Sequence, residues 1–240
     1  MKRSINLWAM ALTIATAVSA HALDHSTFDR ILKKYVKSGV VNYKGLKADK
    51  DFPGYLQTIS HTKVSGLSQS EQLSFWINAY NASCLNGVLR RYPIKSVMND
   101  KQFFSKKEHK VAGQTLSLND VEHGILRKQF KEPRIHFAVN CASKSCPPLA
   151  DTAYVASKLN SQLDAAARRF INDPTRNKFD VAGKKAMLSA LFKWYGKDFG
   201  SQSQMLNTIA KYASASVAGM LRSGNVAVSY LRYDWGLNGS

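Results

Sequence analysis

Arg134–Leu149, RIHFAVNCASKSCPPL, is the stretch where the chain changes character most abruptly. Ile135, Phe137 and Val139 alternate with Arg134, His136, Ala138 and Asn140, which is the two-residue period of a buried or half-buried strand. After Cys141 the residues turn small, polar and proline-rich, and Asp151 onward (DTAYVASKLNSQLDAAARRFIN) reads as a helix. Cys141 and Cys146 are therefore expected in a loop that leaves the carboxyl end of a strand and feeds a helix. Loops in that position commonly carry chemistry.

Upstream lies the strongest helical signal, LSQSEQLSFWINAYNASCLNGVLRRYP. Ser68 and Glu71 have the spacing of a capping box. Leu73, Trp76, Ile77, Tyr80, Cys84 and Val88 recur at helical spacing, and Pro93 ends the run. Cys84 on that stripe reads as a small core residue. Asn78 and Asn81 stand three apart on a helix poorly served by asparagine, so they are expected to bond loop backbone or a substrate.

Around these segments the pattern is mixed. A first helix carries Phe28, Ile31, Leu32, Tyr35 and Val36, capped by Ser26 and closed by Gly39, and a second falls between Leu46 and Ser60. Ala112-Gly113 marks the bend of a hairpin, and Ala182-Gly183-Lys184 marks another between Lys178–Val181 and Lys185–Leu188. Asn119 is expected to cap the helix NDVEHGILRKQF, which makes Glu122 first a capping carboxylate and second an acid, base or histidine orienter. Glu122 and His123, about 100° apart on an α-helix, are not expected to share a target. SALFKWYGKDFG reads as a short aromatic helix, and Gln202–Leu221 as helical with a break near Ser214–Ser216. Val226–Arg232 forms a last strand before the ending YDWGLN. The expected fold class is α+β: a mostly helical single domain, residues 23–240, around a small mixed or antiparallel sheet. A papain- or transglutaminase-like arrangement is one form of it by analogy.

Lys2 and Arg3, an apolar run from Leu7 to Val18 and small residues up to Ala22 make residues 1–22 a secretory signal peptide, with cleavage after Ala20 or Ala22. The run is too short for a membrane span, and no later segment is apolar enough to be one. A secreted or periplasmic protein follows. Against 16 Asp and Glu stand 34 Lys and Arg, a formal charge of +18 that should attract an anionic envelope polymer or peptide. The basic residues are scattered, and no specific nucleic-acid motif and no cofactor motif appears.

Four segments lie in order along the chain: FWINAYN at 75–81, LSLNDVEHGILR at 116–127, RIHFAVNCASKSCPPL at 134–149 and YDWGLN at 233–238. Through them the chain resembles the bacterial exported branch of the domain-of-unknown-function family 547. The resemblance implies no named activity. Some eukaryotic members join the domain to glutaredoxin-like or DEP modules, which points to thiol chemistry or signalling. Cys146 matches the family's more usual cysteine, whereas some relatives lack the one at Cys141 and the pattern does not require Cys84.

Two functions follow from different classes. The first is a thiol-dependent hydrolase or acyl transferase with Cys146 as nucleophile, His136 or His123 as base and Glu122 as a third group. Lys144 would favour the thiolate, and Asn78, Asn81, Arg134, Asn140 and Lys144 are the candidate binding residues. Pro147 and Pro148 count against it, because they remove two backbone donors beside the sulfur. The second is a non-enzymatic basic envelope module in which a Cys141–Cys146 disulfide staples the loop. A metal site is not expected, since no CxxC or HxxxH spacing occurs.

Overall fold

Residues 23–240 are described by a computed structural model, and the leader read in residues 1–22 lies outside the described residues. The chain forms α1 (Ser26–Tyr35), a tight hairpin of β1 (Val36–Lys37) and β2 (Val40–Val41), α2 (Tyr43–Lys47), α3 (Asp51–His61) and the long α4 (Gln69–Arg91). The hairpin β3 (His109–Val111) and β4 (Gln114–Leu116) leads into a π-helical stretch, Asp120–Leu126, continued by α5 (Arg127–Phe130). Then follow α6 (Ile135–Ala138), α7 (Leu159–Ile171), β5 (Lys178–Asp180), β6 (Lys185–Leu188), α8 (Ala190–Trp194), α9 (Gln202–Tyr212), α10 (Ala215–Arg222) and β7 (Ala227–Tyr230). β5 and β6 pair antiparallel, and β7 adds parallel to β6 with Ala186 opposite Val228. The fold is mostly helical α+β with small sheets, as the sequence indicates. Among the described residues no helix is long and apolar enough to cross a membrane.

α4 is the axis of the larger core. Glu71 N–H donates to Ser68 Oγ, and Ser68 N–H donates to Glu71 Oε2 at 2.7 Å, so the capping box forms. Every residue from Leu73 to Leu85 is buried, which leaves the middle of α4 with no solvent face. α1, α3 and the Ile135 and Ala138 side of α6 pack on it. A second core gathers Phe137, Phe170, Phe192 and Phe199 with the inner faces of α7, α9 and α10.

The strand expected at Ile135–Val139 is instead the single helical turn α6, with only Val139 extended. Ile135 and Ala138 enter the first core, Phe137 the second, and His136 is buried as well, so the turn is enclosed on all sides. Periodicity cannot separate a helix from a strand when both faces are buried. The helix expected from Asp151 begins only at Ala156, because Asn78 holds the Tyr154 backbone and Gln162 Oε1 accepts from Val155 N–H.

Other local signals are reassigned by their hydrogen bonds. Ser26 does not cap α1; it lies inside the helix and its hydroxyl donates to Asp24. Gly39, at φ 82°, turns the β1–β2 hairpin and does not close α1, and a methyl group there would sit 2.6 Å from Pro148 Cβ. The helix expected between Leu46 and Ser60 is two, split where Asp49 accepts from the N–H groups of Asp51 and Phe52. Asn119 caps nothing: Ser117 and Asp120 exchange hydrogen bonds at 2.9 and 3.0 Å, which frees Glu122 from capping.

Candidate functional site

Asn78 and Asn81 of α4 bind backbone, not open space. Asn78 Nδ2 donates to Tyr154 O at 2.8 Å and its Oδ1 accepts from Tyr154 N–H at 2.9 Å. Asn81 Nδ2 donates to Ala138 O at 3.0 Å, and its Oδ1 accepts from Asn140 N–H at 2.8 Å. Asn140 continues the chain of bonds: its Nδ2 donates to Pro147 O and its Oδ1 accepts from Ala142 N–H. These side chains fix the loop that carries the cysteines. Asn81→Ala orphans two buried backbone groups and is expected to cost about 2–4 kcal/mol in denaturant unfolding.

Arg134 clamps Glu132 through two parallel bonds at 2.6 and 2.8 Å and reaches Asp164 of α7 at 2.7 Å. It ties α6 to α7. Lys144 is exposed, and its backbone pairs with Gly236 and Arg176. Asn78, Asn81, Arg134, Asn140 and Lys144 all lie outside the cavity described next.

The loop places its two sulfurs at one end of a cavity of about 520 Å³ between the two cores. All three cysteines of the chain are free thiols, so the staple expected between Cys141 and Cys146 is absent. Cys146 is 4 % exposed; its sulfur accepts Cys141 N–H at 2.8 Å. Burial pushes its thiol well above the ordinary value, and the adjacent Cys141 sulfur adds to the shift. Cys141 is half-buried, with its sulfur 3.1 Å from both Ser143 Oγ and Tyr233 Oη. Ser143 donates to Tyr233 Oη at 2.9 Å, which leaves the tyrosine proton to point at the Cys141 sulfur. Burial alone would raise the Cys141 thiol too. Hydrogen bonds from Cys146, Ser143 and Tyr233 outweigh burial, and its pKa falls below the ordinary value. Ala142, next in the chain, is held in the left-handed region at φ 60°.

His136, 1 % exposed, lines the same cavity and stacks on Tyr195 with ring centroids 4.1 Å apart. Its Nε2 is 2.7 Å from Asp198 Oδ2. Arg127 holds the same carboxylate with Nε at 2.6 Å and Nη2 at 2.8 Å, and these bonds, with the one from His136, keep Asp198 far below the usual carboxylate range. Among the described residues the only enclosed side-chain nitrogens or oxygens without a partner belong to His109. His136 Nδ1, which has no partner there, therefore opens on the cavity. No histidine nitrogen comes within hydrogen-bonding reach of either loop sulfur among the described residues.

Glu122 and His123 both line this cavity, although the expectation for an α-helix was that they would diverge. The π-helical stretch changes that register, as such turns often do beside functional sites. Glu122 is 7 % exposed and accepts from Tyr80 Oη through Oε2 at 3.0 Å, and its carboxylate lies near the Tyr195 hydroxyl. His123 Nδ1 is 3.1 Å from Arg127 Nη1 and must accept, since arginine only donates. Tyr233, Trp235 and the half-exposed Trp194 line the cavity and pack against one another, with ring centroids 4.6 to 5.7 Å apart. Among the described residues no three His, Cys, Asp or Glu side chains converge to hold a metal ion.

Sequence reasoning missed Asp198, Arg127, Tyr195 and Trp194 as cavity residues and gave Cys141 no catalytic part. Tyr233 and Trp235 stood out only as the edge of the last strand. One signal was present: the YDWGLN ending is one of the four segments that carry the resemblance, and its Gly236 and Asp234 carbonyls accept from Lys144 and Ser145 in the cysteine loop. No curated protein and no solved structure matches the chain. Residues 64–171, which carry α4, the π-helical stretch, both cavity cysteines and α7, match the model of the family described as "Protein of unknown function, DUF547", and over this segment the chain is similar to that family.

Proposed function

We propose that the chain is a thiol-dependent acyl-transfer enzyme, a hydrolase or a transferase, with Cys141 as the attacking sulfur. The observation that carries this reading is the hydrogen-bonding of Cys141 by Ser143 and Tyr233 inside a cavity that also holds the His136–Asp198 pair. The part the sequence gave to Cys146 passes to Cys141. Cys146 is buried and its thiol is pushed up, so it serves as a neighbour whose sulfur accepts the Cys141 N–H.

The chemistry needs no base in contact with the thiol. The Cys141 thiolate attacks the acyl carbonyl, and a carbon–sulfur bond forms as the bond to the amine or alcohol breaks. Protonated His136 gives its Nδ1 proton to the leaving group. Neutral His136 then takes a proton from water, or from an acceptor nucleophile, which attacks the thioester and releases the thiolate. Asp198 holds the ring by Nε2 throughout, and Arg127 balances the aspartate charge. We place this activity outside the cytoplasm, on the signal peptide read in residues 1–22. The competing module that binds a polyanion rests on net charge alone. The one Lys or Arg on the cavity wall is already spent on Asp198.

p-Nitrophenyl acetate tests the assignment. Incubation with the mature chain is expected to leave one acetyl group on the peptide containing Cys141, removed by hydroxylamine. Acetyl groups found only on surface lysines would contradict it.

A further inference from the structure

The cavity is chemically at odds with the rest of the protein. The chain has 34 Lys and Arg against 16 Asp and Glu, yet no lysine lines the cavity and one arginine does. That arginine, Arg127, is neutralised by the two-point pair with Asp198. What remains facing the space is the carboxylate of Glu122, 7 % exposed, which accepts from Tyr80 and which Tyr195 also approaches. A carboxylate facing a cavity whose one cation is already paired with Asp198 favours a positive partner.

The walls around that carboxylate are aromatic. Tyr80 touches Glu122 directly, and Tyr195 lies close enough for Glu122 to raise its hydroxyl further after burial has done so. Trp194, Tyr233 and Trp235 line the cavity as one packed aromatic group, with Trp194 stacked on Trp235 and 48 % exposed. Ring faces and an enclosed carboxylate together are the recognition chemistry of an ammonium group. We propose that the cavity selects a cationic amine, a primary or quaternary ammonium seated between Glu122 and the aromatic walls. Calling that ammonium part of the substrate rests on the acyl-transfer reading; its binding does not. The positive surface does not defeat this, since surface charges beyond about 10 Å are largely screened at 0.1 M salt.

Choline and its uncharged isostere 3,3-dimethylbutan-1-ol separate charge from shape. Titrated into the full mature chain and followed by tryptophan fluorescence, choline is expected to bind about tenfold or more tightly than the alcohol. Glu122→Gln should bring the two to parity while keeping an acceptor for Tyr80, and Trp194→Ala, at an exposed position, should weaken choline without changing the unfolding temperature. Equal affinity for both probes in the wild-type chain, or a choline preference that survives Glu122→Gln, overturns the proposal. Failure here is distinguishable from failure of the enzyme reading: Cys141 acetylated by the uncharged ester without choline binding sinks the ammonium site alone. Choline binding without acetylation sinks acyl transfer alone.

Discussion

Cys141→Ser is expected to lower the acylation rate with p-nitrophenyl acetate by about a thousandfold, whereas Cys146→Ser should lower it by no more than about tenfold. The asymmetry comes from geometry, since the two sulfurs are neighbours. Tyr233, itself held by Ser143, gives Cys141 a hydroxyl hydrogen bond, while the Cys146 sulfur accepts a backbone N–H and aims its own proton at Val139 O, 4.0 Å away. His136→Gln should cost about a hundredfold or more in release of a poor leaving group and much less with p-nitrophenolate, which departs without a proton. Steady-state and burst kinetics with the two ester classes check both statements. Cys146→Ser matching Cys141→Ser would return the sulfur role to Cys146.

Acid should unfold the protein through two histidines remote from the cavity. His25, whose Nδ1 is 2.8 Å from Tyr55 Oη, and His109, with neither ring nitrogen bonded, are both pushed down to about 4 by burial. Asp24 opposes the shift at His25. Glu108 opposes it at His109, and Arg90 and Arg91 reinforce it. A depressed histidine is neutral in the folded chain and protonated in the unfolded one between pH 6.5 and about 4, so the unfolded state binds more protons there. Stability is full above pH 6.5, falls through that window and levels off below it, with a ceiling of about 3 kcal/mol for each histidine. The carboxylates with lowered values begin to contribute only near pH 5, at the acid end of this window, and act mainly below it. Denaturant unfolding at pH 7.5 and 4.5 measures the loss, and His109→Leu should shrink it by about half while stabilising the chain at both pH values. A profile unchanged by His109→Leu would contradict the assignment.

What the sequence revealed depended on how local the signal was. The capping box of Ser68 and Glu71, the bend at Ala112-Gly113 and the break between α9 and α10 are each set by residues within a turn of one another, and they are found where expected. The structural alternative for Asn78 and Asn81 was also legible, because asparagine inside a buried helix needs backbone to bond. α6 was not legible, since burial on every side erases the period that distinguishes helix from strand. The register of Glu122 depends on the π-helical turn, which no local residue announces. Asp198 was out of reach for another reason: it meets His136 across 62 positions of chain, by packing of the second core on α6. Glu122, His123, His136 and Cys146 were nevertheless gathered from the sequence as one candidate set, and all four line the same cavity.

The most direct measurement is the alkylation rate of each cysteine in the folded, mature chain between pH 5 and 10, with the modified peptides separated by mass. The account predicts that Cys141 reacts first, with an apparent pKa below that of a free cysteine that rises in Tyr233→Phe, while Cys146 and Cys84 stay protected until the chain unfolds. Rapid modification of Cys146 with Cys141 inert, or a Cys141 profile indifferent to Tyr233→Phe, would contradict it.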